Sequence, residues 1–268
     1  MRGFHILGGP PLAALVVALS GAGASSGCRE PEVALQARES WCPEGFEPGF
    51  GDTCFALPAG RGVGMGVILY LHGMYQGHGS DHEWAMVRSA TAHGFAVMLP
   101  RGHRGLCDWK PDLRGHFCWP GGGAIADETE MKSLVSDWDR TLWQIDELLE
   151  GGPHRRYVLA FSNGAFFAAH LVRRGLFRAD GWALVSGGSP GEEPATSKVR
   201  PPVLLLSAAE DAEQGPRLKA LGQQLAGEKW PVTQCSRSGG HVLSGDDVDA
   251  ALRFFRGEPP ARKISCAR

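Results

Sequence analysis

The sequence predicts an α/β fold, a mostly parallel sheet with helices on both faces and no lid domain. Apolar runs of four or five residues, of the kind buried on both sides of a sheet, alternate with segments whose apolar residues recur every three or four positions. The chain has 268 residues, 43% of them apolar, which suffices for one sizeable core.

Composition excludes several classes. Lys and Arg number 27 against 29 Asp and Glu, a formal net charge of −2, so no basic face for nucleic acid is expected. Eight Trp and twelve Phe are too much apolar surface for a disordered chain. The 38 Gly and 18 Pro follow no fixed period, which excludes collagen and leaves a loop-rich globular protein.

Residues 1–27 have the order of a secretory signal: an early Arg2, an apolar run at 12–19 too short to span a bilayer, then small residues. Two cleavage sites compete. Ala22-Gly23-Ala24 would release a soluble protein. Ser25-Ser26-Gly27-Cys28 resembles a bacterial lipobox, which would leave a lipid on Cys28; Ser25 departs from the aliphatic residue usual there. Seven cysteines cannot all pair, and removing Cys28 leaves six. Proximity favours Cys42–Cys54, Cys107–Cys118 and Cys235–Cys266. An exported protein is expected, either membrane-anchored or periplasmic to extracellular.

Residues 28–66 are punctuated by Pro and Gly and read as an N-terminal extension with a short strand near 53–57. The domain proper, 67–268, opens with strand 67–71. Ser80-Asp81-His82-Glu83 is a capping-box sequence, so a helix should run to His93 and stop at Gly94. Strand 95–99 follows. A Gly-rich loop leads to a long amphipathic helix that opens at Asp127 and Glu130, with the stripe Met131, Leu134, Trp138, Leu142, Ile145 and Leu149, and ends at Gly151-Gly152-Pro153. Then come strand 157–161, helix 163–174, strands 182–185 and 203–206, helix 216–226, strand 231–235 and helix 246–256. In such a sheet, binding sites lie at the carboxyl ends of the strands.

Ala160-Phe161-Ser162-Asn163-Gly164 lies at one of those ends, between an apolar strand and an apolar helix. It differs from the nucleophile-elbow pattern G-x-S-x-G only in its first residue. Small residues are needed because strand and helix backbones approach closely around the serine. A serine capping an ordinary helix is the bland alternative.

From about residue 67 to 256 the chain resembles the α/β-hydrolase superfamily. Its Ser162-Asn163-Gly164 elbow and Leu71-His72-Gly73 segment are similar to secreted polyester (polyhydroxybutyrate) depolymerases and feruloyl or acetylxylan esterases. The resemblance implies an acid after a later strand and a final histidine. The matching positions are Asp211, with Glu210 as the alternative, and His241 in Gly239-Gly240-His241. In that scheme His241 takes the proton of Ser162 and Asp211 fixes the imidazole. Family analogy assigns the oxyanion donors to the backbone N–H groups of Asn163 and Met74. The implied activity is ester hydrolysis through an acyl-enzyme, without cofactor, on a small or polymer-linked ester. A peptidase or thioesterase on the same fold, or an inactive hydrolase-like envelope binding protein, remain the alternatives.

Other signals are weaker. His72, His78, Asp81 and His82 suggest a metal cluster, but their register does not match a known ligand pattern, and no metal is expected. His72 is read instead as shaping its loop. The loop 101–119 carries Arg101, Arg104, Lys110 and Arg114, with Trp109 or Trp119 as a conceivable stacking surface for an anionic or carbohydrate-linked substrate. Only fifteen residues, 186–200, occupy the place where lipases often insert a lid, which predicts an open site.

Overall fold

A computed structural model of the chain describes residues 41–60, 65–77, 79–107, 111–120, 128–150, 154–261 and 263–266. The leader, both cleavage sites and Cys28 lie outside these residues. So do His78, Trp109, Lys110, Asp127 and the 151–153 stop signal.

In chain order the strands are β1 (Glu47–Pro48), β2 (Thr53–Ala56), β3 (Gly66–Leu71), β4 (Phe95–Pro100), β5 (His103–Arg104), β6 (Phe117–Cys118), β7 (Arg156–Phe161), β8 (Gly181–Val185), β9 (Val203–Ala208), β10 (Val232–Arg237) and β11 (Ser265–Cys266). The α-helices are α1 (Asp81–Arg88), α2 (Glu128–Leu148), α3 (Asn163–Arg174), α4 (Gln214–Gly227) and α5 (Gly245–Phe255). Nine strands form one sheet in the order β1-β2-β4-β3-β7-β8-β9-β10-β11, and β5 pairs with β6 in a separate hairpin. From β4 to β10 all neighbours are parallel; β2 and β11 join the two sides antiparallel.

The strand period of two sorts the core. Val67, Leu69 and Leu71 of β3 face a cluster built with α2, α3 and α4, whereas Ile68 and Tyr70 face a second cluster built with α1 and α5. The α2 stripe read from the sequence, Met131 to Leu149, is buried in the first cluster. Both faces of the sheet are therefore covered, as its apolar strands require.

Several boundaries differ for identifiable reasons. β2, the short strand expected near 53–57, hydrogen-bonds along β4 and extends the main sheet. The helix expected to reach His93 is α-helical only to Arg88; Ser89–His93 tightens into a 3₁₀ turn closed by Gly94 at φ +83°. β10 continues two residues past Cys235 because Ser236 and Arg237 keep pairing with Ser207 and Ala208, although their polarity hides it. β1, β5, β6 and β11 span two residues each, too short to show a period. Only half of the capping box at Ser80 forms: its hydroxyl accepts from the Glu83 N–H at 3.2 Å, while the Glu83 side chain turns elsewhere. The complete box is at α5, between Ser244 and Asp247.

The three cysteine pairs Cys42–Cys54, Cys107–Cys118 and Cys235–Cys266 are disulfides. Among the described residues, no helix is long and apolar enough to cross a membrane.

The chain runs from β3 outward to β4 and then returns to place β7 on the other side of β3. This reversal is the switch point at which the loops after β3 and β7 come together. His72, at the end of β3, sits buried there. Its Nδ1–H donates to the Gly73 carbonyl at 2.5 Å, and its Nε2 accepts from the Gly102 N–H at 2.9 Å. Both ring nitrogens are thus used by backbone, as expected of a loop-shaping residue.

Burial, aided by the nearby charge of Arg101, lowers the pKa of His72 to about 3. The folded state therefore excludes a proton that the unfolded state binds below about pH 6.5. Stability from this group is intact above that value and is lost as pH falls toward 3. At roughly 1.4 kcal/mol per pKa unit, acidification from pH 7 to pH 4 should destabilise the wild type by about 3 kcal/mol more than His72→Gln. Urea unfolding of both proteins at the two pH values measures the difference; equal losses would refute it.

Candidate active site

The turn from β7 to α3 is strained at Ser162, whose φ of +51° and ψ of −119° are rare for a residue with a side chain. Such a backbone costs about 1–3 kcal/mol and persists only where its surroundings enforce it. Here the Ser162 N–H donates to the Val185 carbonyl at 3.0 Å, and the Ser162 carbonyl accepts from Ala165 and Phe166 in the first turn of α3. Glycines leave room for this. A Cβ on Gly164 would overlap the carbonyl oxygen of Leu71, and one on Gly187 would overlap that of Ser162. The second small residue of the elbow is thus set by the backbone of β3, which passes directly against it.

The three residues matched by order meet at this rim. His241 Nδ1–H donates to Asp211 Oδ2 at 2.6 Å, and His241 Nε2 lies 2.8 Å from Ser162 Oγ. With Nδ1 donating to a carboxylate, Nε2 is left to accept the serine hydroxyl proton. The other Asp211 oxygen accepts from the Gln214 N–H at 3.2 Å. Asp211 is buried, whereas the His241 side chain is 40% exposed, so the chain of hydrogen bonds runs from the interior to solvent. Glu210 takes no part in it; its Oε1 accepts from the Gly239 N–H at 3.2 Å, bracing the loop that bears His241. Such an array can remove a proton from the serine oxygen and return it to a leaving group.

That loop is held from below by a charge pair that the sequence did not signal. Arg237, at the end of β10, donates from Nε to Asp247 Oδ1 at 2.7 Å, and both residues are buried. Its remaining nitrogens donate to the carbonyls of Ser238 and Val242, on either side of Gly239-Gly240-His241. His82 of α1 adds a bond to the Leu243 carbonyl at 2.8 Å.

Trp119, considered above as a surface for stacking substrate, is fully buried. Its indole lies parallel to Phe167, with centroids 5.6 Å apart, and edge-on to Trp138. Its backbone N–H donates to Asn163 Oδ1 at 2.7 Å, and its Nε1–H to the His72 carbonyl at 2.9 Å. One residue therefore ties the elbow to the turn after β3. The Cys107–Cys118 disulfide sits immediately before it.

Beneath that turn, Tyr70 O–H and Gly73 N–H both donate to Glu83 Oε2, at 2.5 and 3.2 Å. Burial raises the carboxyl pKa, while these two bonds and the charges of His82 and His241 oppose the rise. Met74, the next residue, is 38% exposed at the rim.

Two cations of the 101–119 loop, Arg101 and Arg104, are engaged locally. Arg101 pairs with Asp52 at 3.0 Å and stacks over Trp41 and Phe117, and Arg104 stacks over Phe117. A cavity of about 940 Å³ opens near Arg156, Asp180 and Pro201, at the amino ends of β7, β8 and β9, the far end of the sheet from Ser162. Among the described residues, no group of three His, Cys, Asp or Glu side chains is arranged to hold a metal ion.

No protein-family model and no curated protein matches the sequence. Solved structures are similar in fold. A carboxylesterase from Mesorhizobium loti superposes with a TM-score of 0.57 at 17% identity, covering 80% of this chain and 100% of that one. The Bacillus cereus carboxylesterase gives 0.57 at 18% identity, over 76% and 93%. Zea mays acyl-protein thioesterase 2 gives 0.57 at 15% identity, over 78% and 99%. With the parallel sheet, the strained serine turn and these likenesses together, the chain has the α/β-hydrolase fold.

Proposed function

We propose that the protein is a serine hydrolase of carboxylic esters that works through an acyl-enzyme, with Ser162 as nucleophile, His241 as general base and then acid, and Asp211 as the residue that orients and charges the imidazole. The observation that carries this reading is the unbroken Asp211–His241–Ser162 hydrogen-bond chain, 2.6 and 2.8 Å in its two steps. Two of the fold neighbours are carboxylesterases and a third is a thioesterase, which favours acyl transfer as the reaction type.

The oxyanion of the tetrahedral intermediate would be met by the backbone N–H groups of Asn163 and Met74. Supporting this, Asn163 begins α3, where N–H groups lack helical partners, and the segment leading to Met74 packs on Gly164 of the same turn. Residues 186–200 form no helix over the site, and His241 is open to solvent. That openness suits a small ester, or one attached to a polymer that could not enter an enclosed pocket. Three disulfides fit an oxidising compartment outside the cytosol, and a leader at 1–27, with or without lipid on Cys28, would deliver the chain there.

Four outcomes are expected. A fluorophosphonate probe should label the wild type at one site, and Ser162→Ala should abolish both labelling and p-nitrophenyl acetate hydrolysis; persistence of either would overturn the assignment. Asp211→Asn should lower kcat by a factor on the order of 10⁴, because it permits the wrong imidazole tautomer. Glu210→Gln should stay within about threefold of wild type, since an amide oxygen can still accept the Gly239 N–H. Hydrolysis of a lipid ester should rise smoothly through its critical micelle concentration, as no lid has to open; a sharp jump there would contradict the open site.

A further inference from the structure

Resting on that reading of the site, we propose that Glu83 is a positioning residue for the oxyanion-binding turn, its single oxygen Oε2 holding Gly73 N–H and Tyr70 O–H so that the N–H of Met74 stays aimed at the reacting carbonyl. The bonds measure 3.2 and 2.5 Å and lie in a buried site. Three features point the same way. Glu83 is in the first turn of α1, where a capping carboxylate would turn back to the N-cap, yet its side chain leaves the Ser80 cap to the hydroxyl and points into the protein. Its second oxygen lies close enough to Gly73 that a Cβ there would meet it at 3.4 Å, with the Phe161 ring at 3.1 Å on the other side. The turn is thus confined between the carboxylate and the residue before the nucleophile. Phe161 in turn lies 5.2 Å from the His241 ring, so the same contact reaches the base.

Titratable groups facing Glu83 come from several elements: Tyr70 of β3, Tyr75 of the turn, His82 beside it on α1 and His241 from the loop after β10. Asp247 of α5 acts on Tyr70 and is itself neutralised by Arg237. A carboxylate in this position has two separable consequences: the geometry of one accepting oxygen, and a negative charge near the imidazole. An amide oxygen can accept the same two bonds, so Glu83→Gln keeps the geometry and removes the charge. Glu83→Asp keeps the charge and withdraws the oxygen by one methylene, out of reach of Gly73.

The experiment compares kcat and KM of wild type, Glu83→Gln and Glu83→Asp on p-nitrophenyl acetate, each normalised to active sites titrated by a fluorophosphonate. Expected is a loss of about tenfold or more in kcat for Glu83→Asp with KM within about threefold, because the displaced donor acts only in the transition state. Glu83→Gln should keep kcat within about threefold of wild type, because its amide oxygen still accepts both bonds. Equal kcat in wild type and Glu83→Asp, or Glu83→Gln as impaired as Glu83→Asp, would overturn the assignment while leaving the serine hydrolase reading intact. A wild type that turns over no ester would remove both.

Discussion

The site depends on the contact between two lengths of main chain. The end of β3 and the start of α3 press together so closely that the carbonyl of Leu71 occupies the space a side chain at Gly164 would need. Everything else at the rim reinforces that contact. Trp119 ties Asn163 to His72 from one side, and Glu83 anchors Gly73 from the other. A strained serine backbone can be held because its neighbours are fixed by hydrogen bonds that have no alternative partner in the interior. The topology supplies the reason these segments meet at all, since β3 and β7 are adjacent across the point where the winding of the sheet reverses.

Among the described residues, three sets of buried ionisable groups are tied to loops. Arg237 and Asp247 form a pair whose desolvation leaves little net stability, but whose spare donors bracket His241. His72 is kept neutral and spends both nitrogens on backbone. Glu83 accepts two donors with one oxygen. These groups define where a loop rests more than how firmly the molecule folds.

The sheet and its helices were legible because their apolar periods are uninterrupted. The α2 stripe and the strands β3, β4, β7, β8 and β9 announce themselves through hydropathy alone. The three residues of the hydrogen-bonded chain, Ser162, Asp211 and His241, could be matched by order because each lies within a few residues of the carboxyl end of a strand, so position along the chain stands in for position in space. The supporting residues could not. Glu83 was masked by a local role, since Ser80-Asp81-His82-Glu83 reads as a helix cap. Arg237 is masked because a charged residue reads as the end of a strand, whereas it extends β10 and its side chain is buried against Asp247. Trp119 looked like a surface for ligand because the loop before it is polar, whereas its ring fills the gap between α2 and α3. Glu83 bonds Gly73 and Tyr70 across 10 and 13 residues, Arg237 bonds Asp247 across 10, and Trp119 bonds Asn163 and His72 across 44 and 47, separations that no short-range pattern encodes.

The two-residue strand β11 has a consequence out of proportion to its length. Without it, β10 would present a bare row of amide and carbonyl groups along the open side of the sheet, next to the hinge that delivers His241. So short a segment would fray if hydrogen bonds alone retained it, and the Cys235–Cys266 bridge makes it permanent. While the bridge is intact, covalent closure of that margin leaves the end of β10 no free ladder for another copy to pair with.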